Sequence, residues 1–253
     1  MNRRTLAALA VLGGCVGACQ AAVTVSGQVR NAGAIEVQAS SRLLDVIRAS
    51  QPDAEGYWLG AAWLHQPLLE RQARLKAGVL FDLDTLHRAA LSAGNERRAH
   101  VAAQLYQQVS AMPVTGRQVA MLDPVAVEVG FAQNPLVSDG DRLVYPPRPD
   151  SVRVLGAVAT ACTLAFQALQ PARDYLNACP PVEQTDDLWL IQPDGRVTRL
   201  GIAPWNREDG APPAPGSMLL VPLRSDDLDP PTPELNQQLA EFLATQSPAE
   251  VTP

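Results

Sequence analysis

Chemistry-bearing motifs are scarce in this sequence. It contains no H-E-x-x-H, no G-x-S-x-G, no glycine-rich phosphate loop and no C-x-x-C. The usual sequence supports for a zinc hydrolase, a nucleophile-elbow hydrolase, a P-loop and a dithiol redox centre are therefore missing. The three histidines, His65, His87 and His100, form no metal-ligating spacing. Carboxylate pairs such as Asp186-Asp187 and Asp226-Asp227 stand among turn residues, where solvated acids are ordinary. A non-enzymatic protein without cofactor or metal is the expectation. A glycosidase would need two opposed carboxylates in a cleft, an arrangement that sequence alone does not reveal.

Basic charge and aromatic rings are also in short supply. The chain has 20 Lys and Arg against 26 Asp and Glu, and without Arg3 and Arg4 the balance becomes 18 − 26 = −8. Nucleic acid is a poor partner for such a chain. Four Trp, four Tyr and four Phe give few platforms on which sugar rings stack. Past the N-terminus no apolar run approaches the ~20 residues that a bilayer-spanning helix needs, so no transmembrane helix is expected in the mature chain.

The N-terminus itself has secretory design: Arg3 and Arg4 precede an apolar run from Leu6 to about Ala18, followed by small residues. Residues 1–22 are read as a signal peptide, cut after Ala21 or Ala22, and the product as periplasmic. Leu12-Gly13-Gly14-Cys15 and Val16-Gly17-Ala18-Cys19 also resemble lipoprotein boxes, so a lipid anchor at Cys19 or Cys15 is the alternative. Cutting after Ala21 or Ala22 leaves Cys162 and Cys179 as an even pair in an oxidising compartment, and a disulfide between them is expected.

What the chain does have is a repeat. V-x-V-x-G-x-V occurs at 23–29 and at 152–158, an offset of 129, and Asp45 and Ala49 recur as Asp174 and Ala178 at the same offset. Trp58-Leu59 is matched with Trp189-Leu190, and Gly116-Arg117 with Gly195-Arg196. Each copy closes with G-x-x-L-x-x-P-x-R, GDRLVYPPR at 140–148 and GSMLLVPLR at 216–224, an offset of 76. The fall from 129 to 76 leaves 53 extra residues in the first copy, placed where the second has the hairpin turn Pro193-Asp194-Gly195. In this insert, about 66–112, Leu68, Leu69, Gln72 and Leu75, then Val101, Leu105, Val109 and Met112, recur at three- and four-residue spacing. The spacing predicts two or three helices punctuated at Gly78 and Gly94, either packed on the first unit or presenting a partner surface. The resulting plan is a first unit at 23–149, a second at 150–224, and a linker with a terminal helix at 225–253.

MPVTGR at 112–117, NPLVSDGDRLVYPPRP at 134–149 running into SVRVLGAV at 151–158, and the helix after the second unit together resemble the GfcC-like family of periplasmic capsule and exopolysaccharide biosynthesis proteins. The resemblance covers about residues 23–246. It implies an α+β fold of two tandem β-grasp domains of the soluble-ligand-binding kind, related to the periplasmic domains of outer-membrane polysaccharide export lipoproteins. It also implies a role in surface polysaccharide assembly without known catalysis. The implied partners are polysaccharide assembly or export proteins, or the polysaccharide itself.

Two binding candidates come from the residues. Arg117 begins the strand that returns from the insert, where its fork of donors could meet a carboxylate or sugar hydroxyl, or instead tie insert to sheet. The second candidate is the helix expected over 232–246, capped by Thr232 with Pro233 in its first turn. There Leu235, Leu239 and Phe242 form one apolar stripe. A 15-residue helix measures only ~22 Å against a ~30 Å hydrocarbon core, unlike the membrane-crossing terminal helix of the related export lipoproteins. The stripe could cover the protein's own body, a partner helix bundle or a membrane surface. Partner docking is the working expectation, with a chain ending at Arg224 expected to stay folded.

Overall fold

The structure is a computed structural model that describes residues 20–54, 56–208, 210–224 and 232–246. Most of the expected signal peptide (residues 1–19, with Cys15 and Cys19), the expected linker 225–231 and residues 247–253 lie outside the described residues.

The first unit contains β1 (Ala22–Gly27), β2 (Gly33–Glu36), α1 (Leu43–Ser50), β3 (Ala62–Leu64), α2 (Leu69–Ser92), α3 (Glu96–Ala111), β4 (Arg117–Gln118), α4 (Pro124–Glu128) and β5 (Arg142–Tyr145). The second contains β6 (Ser151–Gly156), β7 (Cys162–Ala165), a 3-10 helix (Ala172–Asn177), β8 (Asp187–Ile191), β9 (Val197–Gly201) and β10 (Met218–Val221), and α5 (Leu235–Ala244) follows. Each unit builds a five-stranded mixed sheet, in the orders β2-β1-β5-β3-β4 and β7-β6-β10-β8-β9. In both, the first strand runs parallel to the last and antiparallel to the second. Two tandem α+β units are what the repeat predicts, and their strand order fits the β-grasp fold that the resemblance implies.

The shared glycine explains why the motif V-x-V-x-G-x-V was kept in both copies. At Gly27 and Gly156 the backbone takes φ of +93° and +106°, and a Cβ would stand 2.0 Å from the carbonyl oxygens of Tyr145 and Val221. Only a residue without a side chain lets the parallel strands close at that point. The valines before it alternate inward, with Val23, Val25, Val152 and Val154 all buried.

Strand pairing corrects two of the repeat's correspondences. Leu143 and Leu219, equivalent in the closing motif, sit opposite Trp63 and Leu190. The third strands therefore align Trp63-Leu64 with Leu190-Ile191, whereas Trp58-Leu59 belongs to a 3-10 turn. Leu64 pairs with Arg117 and Ile191 with Val197, so Arg117 corresponds to Val197 and has no arginine counterpart. The real insertion is thus bounded by offsets of 127 at β3 and 80 at β4.

The insert is a helical hairpin. It turns at Gly94, after which the Asn95 side chain accepts from Arg98 N at 3.1 Å and caps α3. The break expected at Gly78 is absent: α2 runs continuously from Leu69 to Ser92, with Gly78 facing Gln238 of α5. A mid-helix glycine costs about 1 kcal/mol, which packing against α5 can offset.

The destination of the insert differs from the local packing expected. Val79, Leu83, Leu86, Val101, Leu105 and Val109 join one apolar cluster with Val152, Leu188, Leu190 and Leu219 of the second unit and with Leu235, Leu239 and Phe242. The hairpin therefore completes the second unit's core, with α5 packed between α2 and strands β8 and β9. All four residues of β10 are buried, as befits a strand covered on both faces. The first sheet has a separate cluster in which Val23, Val25, Trp63, Leu143 and Tyr145 meet Leu43, Val46 and Ile47 of α1 and Val127 of α4.

The terminal helix is shorter than the span expected from its cap. Thr232 is itself buried and its carbonyl accepts from Leu235 N at 3.3 Å, so the helix begins at Leu235 with Glu234 as its cap residue. Among the described residues no helix is long and apolar enough to cross a membrane.

Candidate functional site at the joint of the two units

Arg117 lies where four pieces of chain converge. β3 and β4 bring it beside the root of α2, the β8–β9 turn and the C-terminal end of α5. Its side chain is only 3% exposed. The guanidinium donates to the carbonyls of Gln246 at 2.6 Å, of Ala61 at 3.2 Å and of Pro193. Gln246 lies two residues past α5, where helix carbonyls carry partial negative charge that suits a cation.

The surroundings hold the arginine's own backbone just as firmly. Gln72 of α2 donates from Nε2 to Arg117 O and accepts from Gly116 N, both at 2.8 Å. Thr115 Oγ1 donates to Thr245 O at 2.7 Å and accepts from Arg117 N at 2.9 Å. Gln246 Nε2 reaches Pro113 O at 3.2 Å. The Arg117 side chain joins the first unit to the second and to the C-terminal segment through carbonyl acceptors, while the insert is held through Gln72 on the Arg117 backbone carbonyl. With three of its bonds made to backbone, the side chain acts as a clamp, and a single planar fork meets several acceptors that a lysine could not span.

Tyr57 makes a second link across the joint. Its hydroxyl donates to Pro215 O at 2.8 Å, and Arg148 stands over its ring at 5.8 Å from the centroid. Burial pushes the Tyr57 pKa up to about 12, with Arg148 pulling it down and Asp194 of the second unit pushing it up.

The densest polar cluster elsewhere is one that sequence reasoning missed. Asp141, fully buried, accepts from Trp63 Nε1 at 2.9 Å, His65 Nδ1 at 2.7 Å and Ser138 N at 2.9 Å. By strand register His65 and Asp141 correspond to Gln192 and Ser217, and Ser217 Oγ donates to Gln192 Oε1 at 2.8 Å. The neutral pair fastens the turn before the last strand in the second unit, and Asp141 with His65 fastens the same turn in the first. The signal lay in the repeat, once its offset at the third strand is read as 127.

The stripe expected to dock on a partner is turned inward. Leu235, Leu239 and Phe242 are each 0% exposed, because α5 fills the space between α2 and the second sheet. Of the three placements open to this helix, the structure has the one on the protein's own body, so these side chains offer no outward surface. Cys162 and Cys179 are joined in a disulfide with a Cα–Cα distance of 6.2 Å, which fastens edge strand β7 to the end of the 3-10 helix. No group of three or more potential metal ligands occurs among the described residues.

Two family models match the chain. The model for capsule biosynthesis GfcC, N-terminal, covers residues 19–147, and that for capsule biosynthesis GfcC C-terminal covers residues 160–248. An Escherichia coli (strain K12) protein named YjbG and described as uncharacterized is 29% identical over 213 residues, which is 83% of this chain and 84% of that protein.

Proposed function

Because the chain belongs to the GfcC capsule-biosynthesis family, we propose that it serves capsule or exopolysaccharide assembly as a non-enzymatic accessory protein of the periplasm. The observation that carries this reading is the paired match of both GfcC models to the two units. The disulfide between Cys162 and Cys179 supports a location outside the reducing cytoplasm, and the N-terminal sequence supports export. The joint of two β-grasp units, bridged by Arg117, Tyr57 and α5, sets surfaces of both units side by side, an arrangement suited to binding. Binding of assembly proteins or of polysaccharide is accordingly the proposed mode of action.

Deletion of the gene, followed by measurement of surface polysaccharide amount and chain length, tests the role. A change in either is expected, and unchanged polymer on both counts would end the assembly reading. Alanine substitution of exposed acids combined with a polysaccharide hydrolysis assay tests the non-enzymatic part. Turnover that disappears with one carboxylate would make the protein an enzyme.

A further inference from the structure

Resting on the reading that the protein works by binding assembly proteins, we propose that a cleft of the second unit receives an extended peptide segment of a partner protein, anchored by large apolar side chains. Two segments form this cleft: residues 171–173, at the start of the 3-10 helix, and residues 210–212, in the loop that leads to β10. Leu200 of β9 and Ile202 just after it also line it. Its volume is about 220 Å³. A cavity of ~150 Å³ already admits a benzene-sized group, so a leucine or phenylalanine side chain fits.

The repeat shows what the same place accepts in the first unit. By the offset of 129, residues 171–173 correspond to 42–44, and by the offset of 76, residues 210–212 correspond to 134–136. The second offset holds through the turn before the last strand, where Gly140 N donates to Ala22 O at 2.9 Å and Gly216 N to Ser151 O at 2.7 Å. In the first unit the two segments are joined. Leu43 N donates to Pro135 O and Leu44 N to Asn134 Oδ1, both at 2.9 Å, and Arg42 forms a β-bridge with Leu136. Residues 134–136 are thus a strap laid on the start of α1. In the second unit no bridge or backbone hydrogen bond joins the corresponding segments among the described residues. The side chains at this joint are smaller as well: Leu43, Asn134 and Pro135 give way to Ala172, Gly210 and Ala211. The first unit supplies a polypeptide strap from its own chain, and the second presents the same seat open.

The lining favours a peptide over a sugar. Its charged members, Arg173 and Glu208, are of opposite sign, and the other side chains are apolar, so it lacks the converging polar groups that fix a ring of hydroxyls. Leu169, also in the lining, is 83% exposed and held at φ +61°, a conformation that costs a leucine free energy and marks functional positions. Tyr175 Oη fixes that turn by accepting from Gln167 N at 2.9 Å. An apolar lip beside a side-chain pocket suits a peptide groove, where such pockets give specificity.

Titration of the mature protein with the strap's own sequence as a synthetic peptide, FAQNPLVSD from residues 131–139, followed by amide NMR shifts, tests the inference. Shifts should gather at residues 169–173 and 200–212, and the peptide carrying Leu136→Asp and Val137→Asp should cause none. The double protein variant Leu169→Asp, Ala211→Asp should bind the peptide roughly ten-fold or more weakly, about the worth of one buried apolar side chain. It should keep the fold, because both residues are exposed and aspartate tolerates positive φ better than leucine. Phe81→Asp, exposed on α2 outside the cleft, should leave binding unchanged. No binding, shifts confined to residues 41–44, equal binding of the substituted peptide, or full affinity in the double variant would each overturn the assignment. Shifts at the cleft from dextran or oligogalacturonate and not from the peptide would overturn it in favour of a sugar site. In a deletion strain, full restoration of altered polymer by the double variant would sink the cleft and spare the assembly role, whereas a deletion without effect would sink that role itself.

Discussion

Phe242→Ala separates a helix that belongs to the body from one that docks elsewhere. Phe242 is 0% exposed and shares its cluster with Val79 and Leu83 of α2 and with Leu188 and Leu190 of β8. Truncating a buried phenylalanine typically costs about 3–5 kcal/mol, part transfer and part cavity. At roughly 2–4 °C per kcal/mol for a chain of this size, the melting temperature should fall by about 6–20 °C. A point substitution is the cleaner probe, because deleting the helix would also relieve the ~1–2 kcal/mol per residue spent in ordering its backbone. Urea denaturation should show a lower midpoint with little change in slope, whereas Glu241→Ala, exposed on the same helix, should stay within about 0.5 kcal/mol of the parent. A Phe242→Ala midpoint equal to the parent's would refute the packing and return α5 to a docking role. The same packing reverses the expectation that a chain ending at Arg224 remains intact. Without α5 the apolar faces of α2 and β8 are uncovered, and the truncated protein should bind a hydrophobic dye that the full chain excludes.

Gly27→Ala and Gly156→Ala should each destabilise by about 1–3 kcal/mol or more, from positive φ and from the added Cβ, and comparable losses in urea unfolding would confirm that the two sites are structural equivalents. Arg117→Ala strips donors from the carbonyls of Ala61, Pro193 and Gln246 and should cost about 1–3 kcal/mol for each one left unsatisfied, with Arg117→Lys recovering less than half. A loss below about 1 kcal/mol for Arg117→Ala would mean that the clamp is idle. Tyr57 keeps its proton in the folded chain up to about 12, whereas the unfolded chain releases it near the ordinary ~10. Stability therefore declines with pH across that window, where the unfolded state binds fewer protons. Burial also raises the Tyr145 pKa, so Tyr57→Phe should make the decline shallower between pH ~10 and ~12 without removing it, and an unchanged slope in pH-dependent denaturation would count against the buried Tyr57 phenol.

What was legible in the sequence follows from what is local. V-x-V-x-G-x-V encodes alternation and a forced close approach within seven residues, so both first strands could be read. The closing motif likewise carries its inward leucine and its terminal proline in a fixed frame. The register of the third strand was not legible, because two tryptophan-leucine pairs five residues apart, Trp58-Leu59 and Trp63-Leu64, match the second copy about equally well. Only pairing with Leu143 chooses between them. The apolar stripes of α2, α3 and α5 announce that those faces are buried without naming what they are buried against. Arg117 could be located at the junction of insert and sheet, but its partners come from positions far apart in the chain, Ala61, Pro193 and Gln246.

The insert changes what a tandem repeat means here. Two copies joined end to end would expose one face of the second sheet and leave each unit to move by itself. Instead, 47 residues added between β3 and β4 of the first copy carry α2 and α3 across to the second, where α5 is packed beneath them. The first unit thereby supplies core to the second, and Arg117 supplies the latch at the root of the insert. Loosening that latch should therefore disturb the second unit's packing as well as the joint.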